Sequence, residues 1–332
     1  MTMVDNLLSD FTNSNDLSTT SEFCHLYKNS NRANKLSQHE RRELLLKDQK
    51  NRRHDLVDGF RDVAKIFFDD ENVEFSESTE VLVDMDFDNI EEQKKPQTFN
   101  FMESEWFSEV PEDLEENWLV KLVPEGFRVL AVAKRNKTII FNKKGRVLTL
   151  KTHLPGGGLT KGSGLTVLDC IYNKVSKTIF ILDCLHWNTM SLLDSETNFR
   201  FYWLKNKFDE NSKFVQTNKS FKLYPLDFFP AQRAIIQDKV FEPLNTENKV
   251  LCEGLAFYHK ELHYIFEETP LLGWLFTYML PEKLGLDILP ENLSKMPNNY
   301  ECLEKYVENL KQKNNQKHWR KSKQEKNKMD IS

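Results

Sequence analysis

Along this chain the spacing of apolar positions changes character several times. Residues 1–36 hold few large apolar groups among many Ser, Thr and Asn, a composition that predicts disorder. A helical pattern then begins: Ser37 and Glu40 form a capping box, and no Pro or Gly interrupts the stretch before Gly59. Leu56, Phe60, Val63, Ala64 and Phe67 recur at helical spacing, so a long helix is expected, polar early and amphipathic late. Asp69–Glu92 is dense in Asp and Glu and punctuated by Ser, the composition of a solvated, disordered linker.

From Phe99 to Leu280 the pattern shortens to β-rich runs separated by turn residues. Trp118–Leu122, Arg128–Ala133, Lys137–Phe141, Arg146–Leu150, Leu165–Tyr172, Thr178–Leu185 and Gly254–Tyr258 read as strands. Their close spacing predicts mostly antiparallel sheets with a few helices, an α+β fold. Beyond Pro290 the chain reads as a charged helix or tail that ends in a Lys-rich stretch, Lys311–Lys328. The expected organisation is therefore 1–27 disordered, 28–68 helical arm, 69–96 acidic linker, 97–285 globular domain and 286–332 charged tail.

Charge sharpens this division. The 332 residues carry a net charge of -5, so any affinity for nucleic acid has to be local. Arg41, Arg42, Lys47, Lys50, Arg52 and Arg53 load the first half of the helix with positive charge, directly before the acidic linker. A basic helix of this kind, with few apolar groups to join a core, fits an acidic receptor that wraps it. The acidic linker is also placed to fold back on it.

Five cysteines, Cys24, Cys170, Cys184, Cys252 and Cys302, follow no metal-ligand spacing and read as reduced thiols. His259 and His263 stand four apart without an HExxH context, so neither a metal site nor any cofactor is expected. The N-terminus lacks a signal-peptide pattern and no run of about 18 apolar residues occurs, so no membrane association is expected.

Three segments bear on chemistry. Val123-Pro124-Glu125-Gly126-Phe127-Arg128 has the shape of the KxDGxR motif of covalent nucleotidyltransferases, but Val123 stands where the attacking lysine would be. Leu168-Asp169-Cys170-Ile171 is similar to the LDGE element with its final carboxylate replaced. Leu272-Gly273-Trp274 occupies the place of a later lysine-bearing motif. The implied fold is nucleotidyltransferase-like, of capping-enzyme type, without the transfer reaction. Gly156–Gly164 lacks GK[ST] and is expected to be a flexible loop.

Longer stretches carry a closer resemblance: Ser104-Glu105-Trp106 before Val110-Pro111, Leu154-Pro155-Gly156-Gly157, Leu168 to Asn173, Phe199-Arg200-Phe201-Tyr202-Trp203, and Thr269 to Leu275. Together with the arm, over residues 1–285, the chain resembles the snurportin family of nuclear-import adaptors. The resemblance implies an importin-β-binding arm, a domain for the 2,2,7-trimethylguanosine cap of U snRNAs within snRNPs, and shuttling between nucleus and cytoplasm. It implies that Trp274 stacks on the methylated base, Trp106 lies beside the N2-methyl groups, and Ser104 contacts the base edge. Arg128 and Lys143 then lie near the phosphates and Val123 lines the pocket. Glu103 and Val123 depart from the family's residues.

The physics agrees with those roles. N7 methylation makes guanine cationic, so an indole face gains cation–π attraction on top of stacking. For the extreme N-terminus the resemblance implies an export receptor (exportin). Met3, Leu7 and Phe11 repeat at four-residue spacing as an apolar stripe for its groove, although the next anchor falls on Asn13. The alternative reading is an active RNA-capping-like nucleotidyltransferase, using Lys121 or Lys134 in place of the missing lysine. Trp118, Trp187 and Trp203 are expected in the core.

Overall fold

The protein was analysed as a computed structural model that describes residues 36–51, 101–142, 145–242, 244, 250 and 252–312. Every strand read from the sequence is present, each lengthened by a residue or more: β2 (Trp118–Pro124), β3 (Phe127–Lys134), β4 (Lys137–Asn142), β5 (Gly145–Leu150), β6 (Leu165–Asn173), β7 (Thr178–Asn188) and β11 (Cys252–His259). The others are β1 (Glu103–Trp106), β8 (Met190–Ser191), β9 (Lys222–Pro225), β10 (Phe229–Pro230) and β12 (Glu268–Phe276). β12 escapes a sequence reading because it contains Pro270 and Gly273, residues that ordinarily demote a strand. Helix α1 spans Gln38–Asn51, α2 Thr197–Glu210 and α3 Arg233–Val240, and a further helix, α4, covers 303–312 among the described residues.

Two sheets face each other. One has the order β1-β12-β11-β2-β10, and the other β5-β4-β3-β6-β7-β8 with β9 added to β7. All pairs among these strands are antiparallel except β1 with β12 and β7 with β9, so the α+β expectation of mostly antiparallel sheets is met.

The central strands look uniformly apolar because both of their faces are covered. On β2, Leu119 and Val123 enter the layer between the sheets, whereas Trp118, Val120 and Leu122 face an outer core with α3. On β7, Phe180 and Leu182 point inward, while Ile179 and Ile181 meet α2 on the other outer side. Period two is thus intact, but it separates two cores rather than core from water. Trp118 and Trp187 are buried as expected, and Trp203 is half-buried, stacked on Phe199.

Within the inter-sheet layer, Asp169 and Asp183 are cross-strand partners on β6 and β7, both at most 1 % exposed. Each is held by an arginine. Arg200 of α2, wholly buried, puts Nε and Nη2 on the Asp183 carboxylate at 2.8–3.1 Å. Its remaining donors go to the carbonyls of Ser195 and Leu262 and to the Thr197 hydroxyl, so all five guanidinium N–H groups are used.

Two sequence expectations need revision. The Gly156–Gly164 segment is a loop only in its second half: 159–163 are exposed, but Gly156–Gly158 are tightly packed, the Thr152 amide donating to the Gly157 carbonyl and a Cβ added at Gly158 lying 2.0 Å from the Asn136 oxygen. The charge-rich stretch after 285 also packs in part. Leu286, Tyr300, Leu303, Tyr306 and Val307 join the outer core beneath β12, and Leu303 is fully buried. Among the described cysteines, Cys170, Cys184, Cys252 and Cys302 are free, and burial pushes the Cys170 and Cys184 thiols well up. Cys24 lies outside the described residues.

The saturation of Arg200 sets an expectation. Arg200→Met leaves Asp183 buried and uncompensated, and should lower unfolding free energy by about 3–5 kcal/mol in urea titration. Arg200→Met with Asp183→Leu should recover much of that loss; no recovery would show that the pair is not the source of the defect.

Candidate functional site

The residues singled out from sequence converge on β1 and its neighbours. Ser104 and Trp106 stand on β1, and Trp106 is the register partner of Trp274 on β12. Trp274 faces the inter-sheet side, half-buried, and crosses β11 where Gly254 leaves room. A Cβ at Gly254 would fall 2.4 Å from Cζ2 of the indole, so any larger residue there pushes the ring off the strand. Val123 is the register partner of Gly254, which puts it on the same inter-sheet face. Phe276 joins the two tryptophans, its ring centroid 5.7 Å from each.

Arg128 approaches from the other sheet at the start of β3. Its guanidinium lies 5.6 Å from the Phe101 ring and donates to the Met102 carbonyl, two residues before Ser104. It is also committed to Asp169, donating to both carboxylate oxygens at 2.5 Å, and Tyr264 donates its hydroxyl to the same carboxylate at 2.7 Å. Burial works against the arginine charge, but Asp169 outweighs it and holds the Arg128 pKa above its ordinary value. A phosphate here therefore meets an arginine already half neutralised. Ser104, Trp106, Val123, Arg128 and Trp274 are brought together; Lys143 lies outside the described residues.

The arm is the main surprise. Instead of lacking a surface to join, α1 packs on the globular domain beside β1 and β12. The β1–β12 register jumps between Ser104/Thr269 and Glu105/Gly273, and the carbonyl of Pro270 in that bulge accepts Arg42 Nε at 3.0 Å. Arg42 is only 4 % exposed; its guanidinium sits 5.2 Å from the Phe107 ring and 5.1 Å from that of Trp118. Phe107 fits there because Gly273 has no side chain: a Cβ would lie 2.1 Å from the ring.

Around this anchor the helix is tied by side chains. Arg41 pairs with Glu105, with one branch at 2.7 Å. Gln38 donates to the Trp106 carbonyl at 2.9 Å, and the His39 amide donates to Glu109. At the far end Gln49 accepts from the His263 amide, and Lys50 lies 3.0 Å from Glu261. The acids that hold the arm are thus Glu105, Glu109 and Glu261, none of which sequence reading singled out. The linker 69–92 proposed for that task, together with Arg52, Arg53, Met3, Leu7 and Phe11, falls outside the described residues; Lys47 is exposed.

Docking is costly for Arg42. Its Nη1 is buried with no hydrogen-bond partner within the protein, and burial pulls the pKa down to about 10. Arg41 shows the opposite, since its hydrogen bond to Glu105 raises its pKa.

Lys121, one of two lysines considered as a substitute nucleophile, is 1 % exposed and engaged. Its Nζ donates to the Leu182 carbonyl at 2.7 Å and the Leu226 carbonyl at 3.2 Å, and lies 3.9 Å from the Phe201 ring centre. It is a strut between the sheets, aimed away from any phosphate approaching from solvent. Burial lowers its pKa to about 8. A base whose folded pKa lies below its unfolded value binds fewer protons folded than unfolded, so stability should rise between about pH 8 and pH 10.5. Urea titrations of the chain and of Lys121→Met across that window should show the rise only in the former; parallel curves would refute it.

A family model described as "Snurportin1, m3G cap-binding domain" matches residues 100–277, and a second described as "Snurportin1" matches residues 25–62. Among solved structures, the ligase domain of M. tuberculosis LigD is 12% identical at a TM-score of 0.38, covering 53% of this chain and 59% of its own. A mycobacterial DNA ligase D complexed with ATP and MES is 13% identical at a TM-score of 0.36, with the same coverage of 53% and 59%. The chain therefore spans less than two thirds of either ligase structure. The cap-binding model alone covers over half of the chain, and it takes in Ser104, Trp106, Val123, Arg128 and Trp274 while its companion takes in Arg41 and Arg42: the chain belongs to the snurportin family.

Proposed function

We propose that the chain is a nuclear-import adaptor that binds the trimethylguanosine cap of U snRNAs at Trp274 and offers α1 to importin-β, without catalysing a reaction. The observation that carries this reading is the pair of family matches, one over the arm and one over the domain with the tryptophan row. The domain layout read from sequence is retained: an arm at 28–68, a linker at 69–96 and a cap-binding domain from 97.

The chemistry of the row supports the assignment. A cationic, N7-methylated guanine gains both stacking and cation–π attraction on an indole, about 1–3 kcal/mol per base. Two N2-methyl groups remove the donors that a carboxylate would read, and favour an apolar wall such as Trp106 and Val123. Ser104 is the polar residue nearest to the base edge on this reading, with Arg128 and Lys143 toward the phosphates. Nucleotidyl transfer is disfavoured because Val123 has no lone pair and Lys121 is spent between the sheets. Recycling by an exportin through Met3, Leu7 and Phe11, and residence in both nucleus and cytoplasm, complete the proposal.

For importin-β the docked arm is a competitor. Arg41 and Arg42 have to leave Glu105 and Pro270 before an acidic receptor can wrap the helix, and the unsatisfied donor of Arg42 makes that release less costly.

Two measurements test these roles. Trp274→Ala should weaken binding of a trimethylated cap dinucleotide by roughly 5- to 150-fold, the worth of one stacked base, by fluorescence titration; unchanged affinity would sink the stacking role. Glu105→Ala should raise importin-β affinity several-fold at low salt and leave less effect at high salt. If affinity stayed level at low salt, the docked arm would not compete with the receptor.

A further inference from the structure

The family matches end at residue 277, yet the fold continues into α4, and α4 reaches the candidate cap site. The contact is made at Trp106, the last residue of β1. Among the described residues β1 is an edge strand, paired with β12 on one side only. A side chain at the end of an edge strand has fewer neighbours to hold it than one in mid-sheet, and Trp106 is half-buried. Two rings border it. Phe276 of β12 lies 5.7 Å away, centroid to centroid, tilted at 48°, and Tyr306 of α4 meets it edge-on at 5.4 Å and 84°.

α4 does not depend on that contact for its own attachment. Leu303 is fully buried in the outer core, Tyr300 stands against Tyr278, and the Leu303 amide donates to Glu282 at 3.1 Å. Lys283 adds a tie toward β1: it pairs with Glu304 of α4 and donates to the Ser108 carbonyl at 3.3 Å. The Ser108 amide in turn donates to the Trp106 carbonyl at 2.8 Å. The backbone and the ring of Trp106 are therefore both braced by residues beyond 277.

We infer that Tyr306 is a positioning residue of the cap site, which fixes the plane of the Trp106 indole and thereby sets the preference for a guanine whose N2 is dimethylated. This rests on the cap-binding reading. Against a held ring, two N2-methyl groups bury apolar area. An unsubstituted N2 amine in the same place loses water from its donors and finds no acceptor on the indole, which is costly. A ring free to swing away gives up both effects: the methyl groups lose their wall, and the amine regains water. Tyr306 thus acts on selectivity rather than on the stacking assigned to Trp274.

Fluorescence titrations of the full chain with trimethylated and monomethylated cap dinucleotides test this. Tyr306→Ala should weaken the trimethylated ligand by about 3- to 12-fold, the worth of one aromatic pair, and hold the monomethylated one within about twofold. Tyr306→Phe, which keeps the ring edge, should retain both affinities. Tyr306→Leu keeps apolar volume beside α4 but removes the ring, and should behave as Ala does, which separates loss of the ring from a packing defect. An unchanged ratio of the two affinities in Tyr306→Ala overturns the inference, as does an equal loss on both ligands, a Phe variant that fails to rescue, or a Leu variant with the original ratio. An unaltered chain that binds both ligands equally overturns it too, because no preference is then left to set. One that binds neither sinks the cap reading beneath it.

Discussion

The structure depends on keeping two carboxylates side by side in an apolar interior. Asp169 and Asp183 face each other across β6 and β7, and like charges at that spacing, shielded from water, repel unless each is compensated. Arg128 comes from β3 to one of them, and Arg200 from α2 to the other. Those two guanidinium groups therefore fix where α2 sits on its sheet and where β3 meets the segment leading into β1. Lys121 adds a third cation, bonded to backbone carbonyls across the sheets. The layer holds because each charge is paired or hydrogen-bonded, not because charge pairs are strong in themselves.

That arrangement also bears on the site. A lysine at position 123 would face the inter-sheet layer. Here the layer receives Val123, and Arg128 is bound on two of its edges by Asp169. On the proposed function, binding falls to the rim, on a glycine-cleared indole and a neighbouring tryptophan. Stacking on those rings would require that they be held in place, and β1, β12 and the room left at Gly254 position them.

How much of this the sequence discloses depends on the origin of each signal. Strands β2 to β7 and β11 are legible because their apolar runs are bounded by turn residues, and the tryptophan row is legible through the family resemblance. β12 is hidden by Pro270 and Gly273, the two residues that make the bulge and the Phe107 pocket for the arm. The docking face of α1 is hidden for a different reason. Gln38, Arg42, Leu45 and Gln49 do recur at helical spacing, but three of the four are polar, so no hydrophobic stripe appears. Their partners are backbone groups and acids far away in sequence, and no local pattern announces Pro270 or Glu261. The packing of α4 is missed because Tyr300, Leu303, Tyr306 and Val307 are a short apolar stripe inside a charge-rich stretch that reads as a charged helix or tail.

On the proposed function these hidden features sit where the two activities meet. β1 is four residues long and has two tasks: Ser104 and Trp106 belong to the candidate cap site, while Glu105 between them holds Arg41. Alternation turns the Glu105 side chain away from that of Trp106, so the ion pair with Arg41 lies across the strand from the indole, although Gln38 also bonds the Trp106 carbonyl. The contact on the arm side includes a guanidinium with a buried, unpartnered Nη1 and a pKa drawn down to about 10. A contact of that quality keeps the helix ordered yet leaves Arg42 better off in a site that satisfies every donor. Occupying the arm loosely and the indole rigidly is thus consistent with a device that must let go of one partner while holding the other.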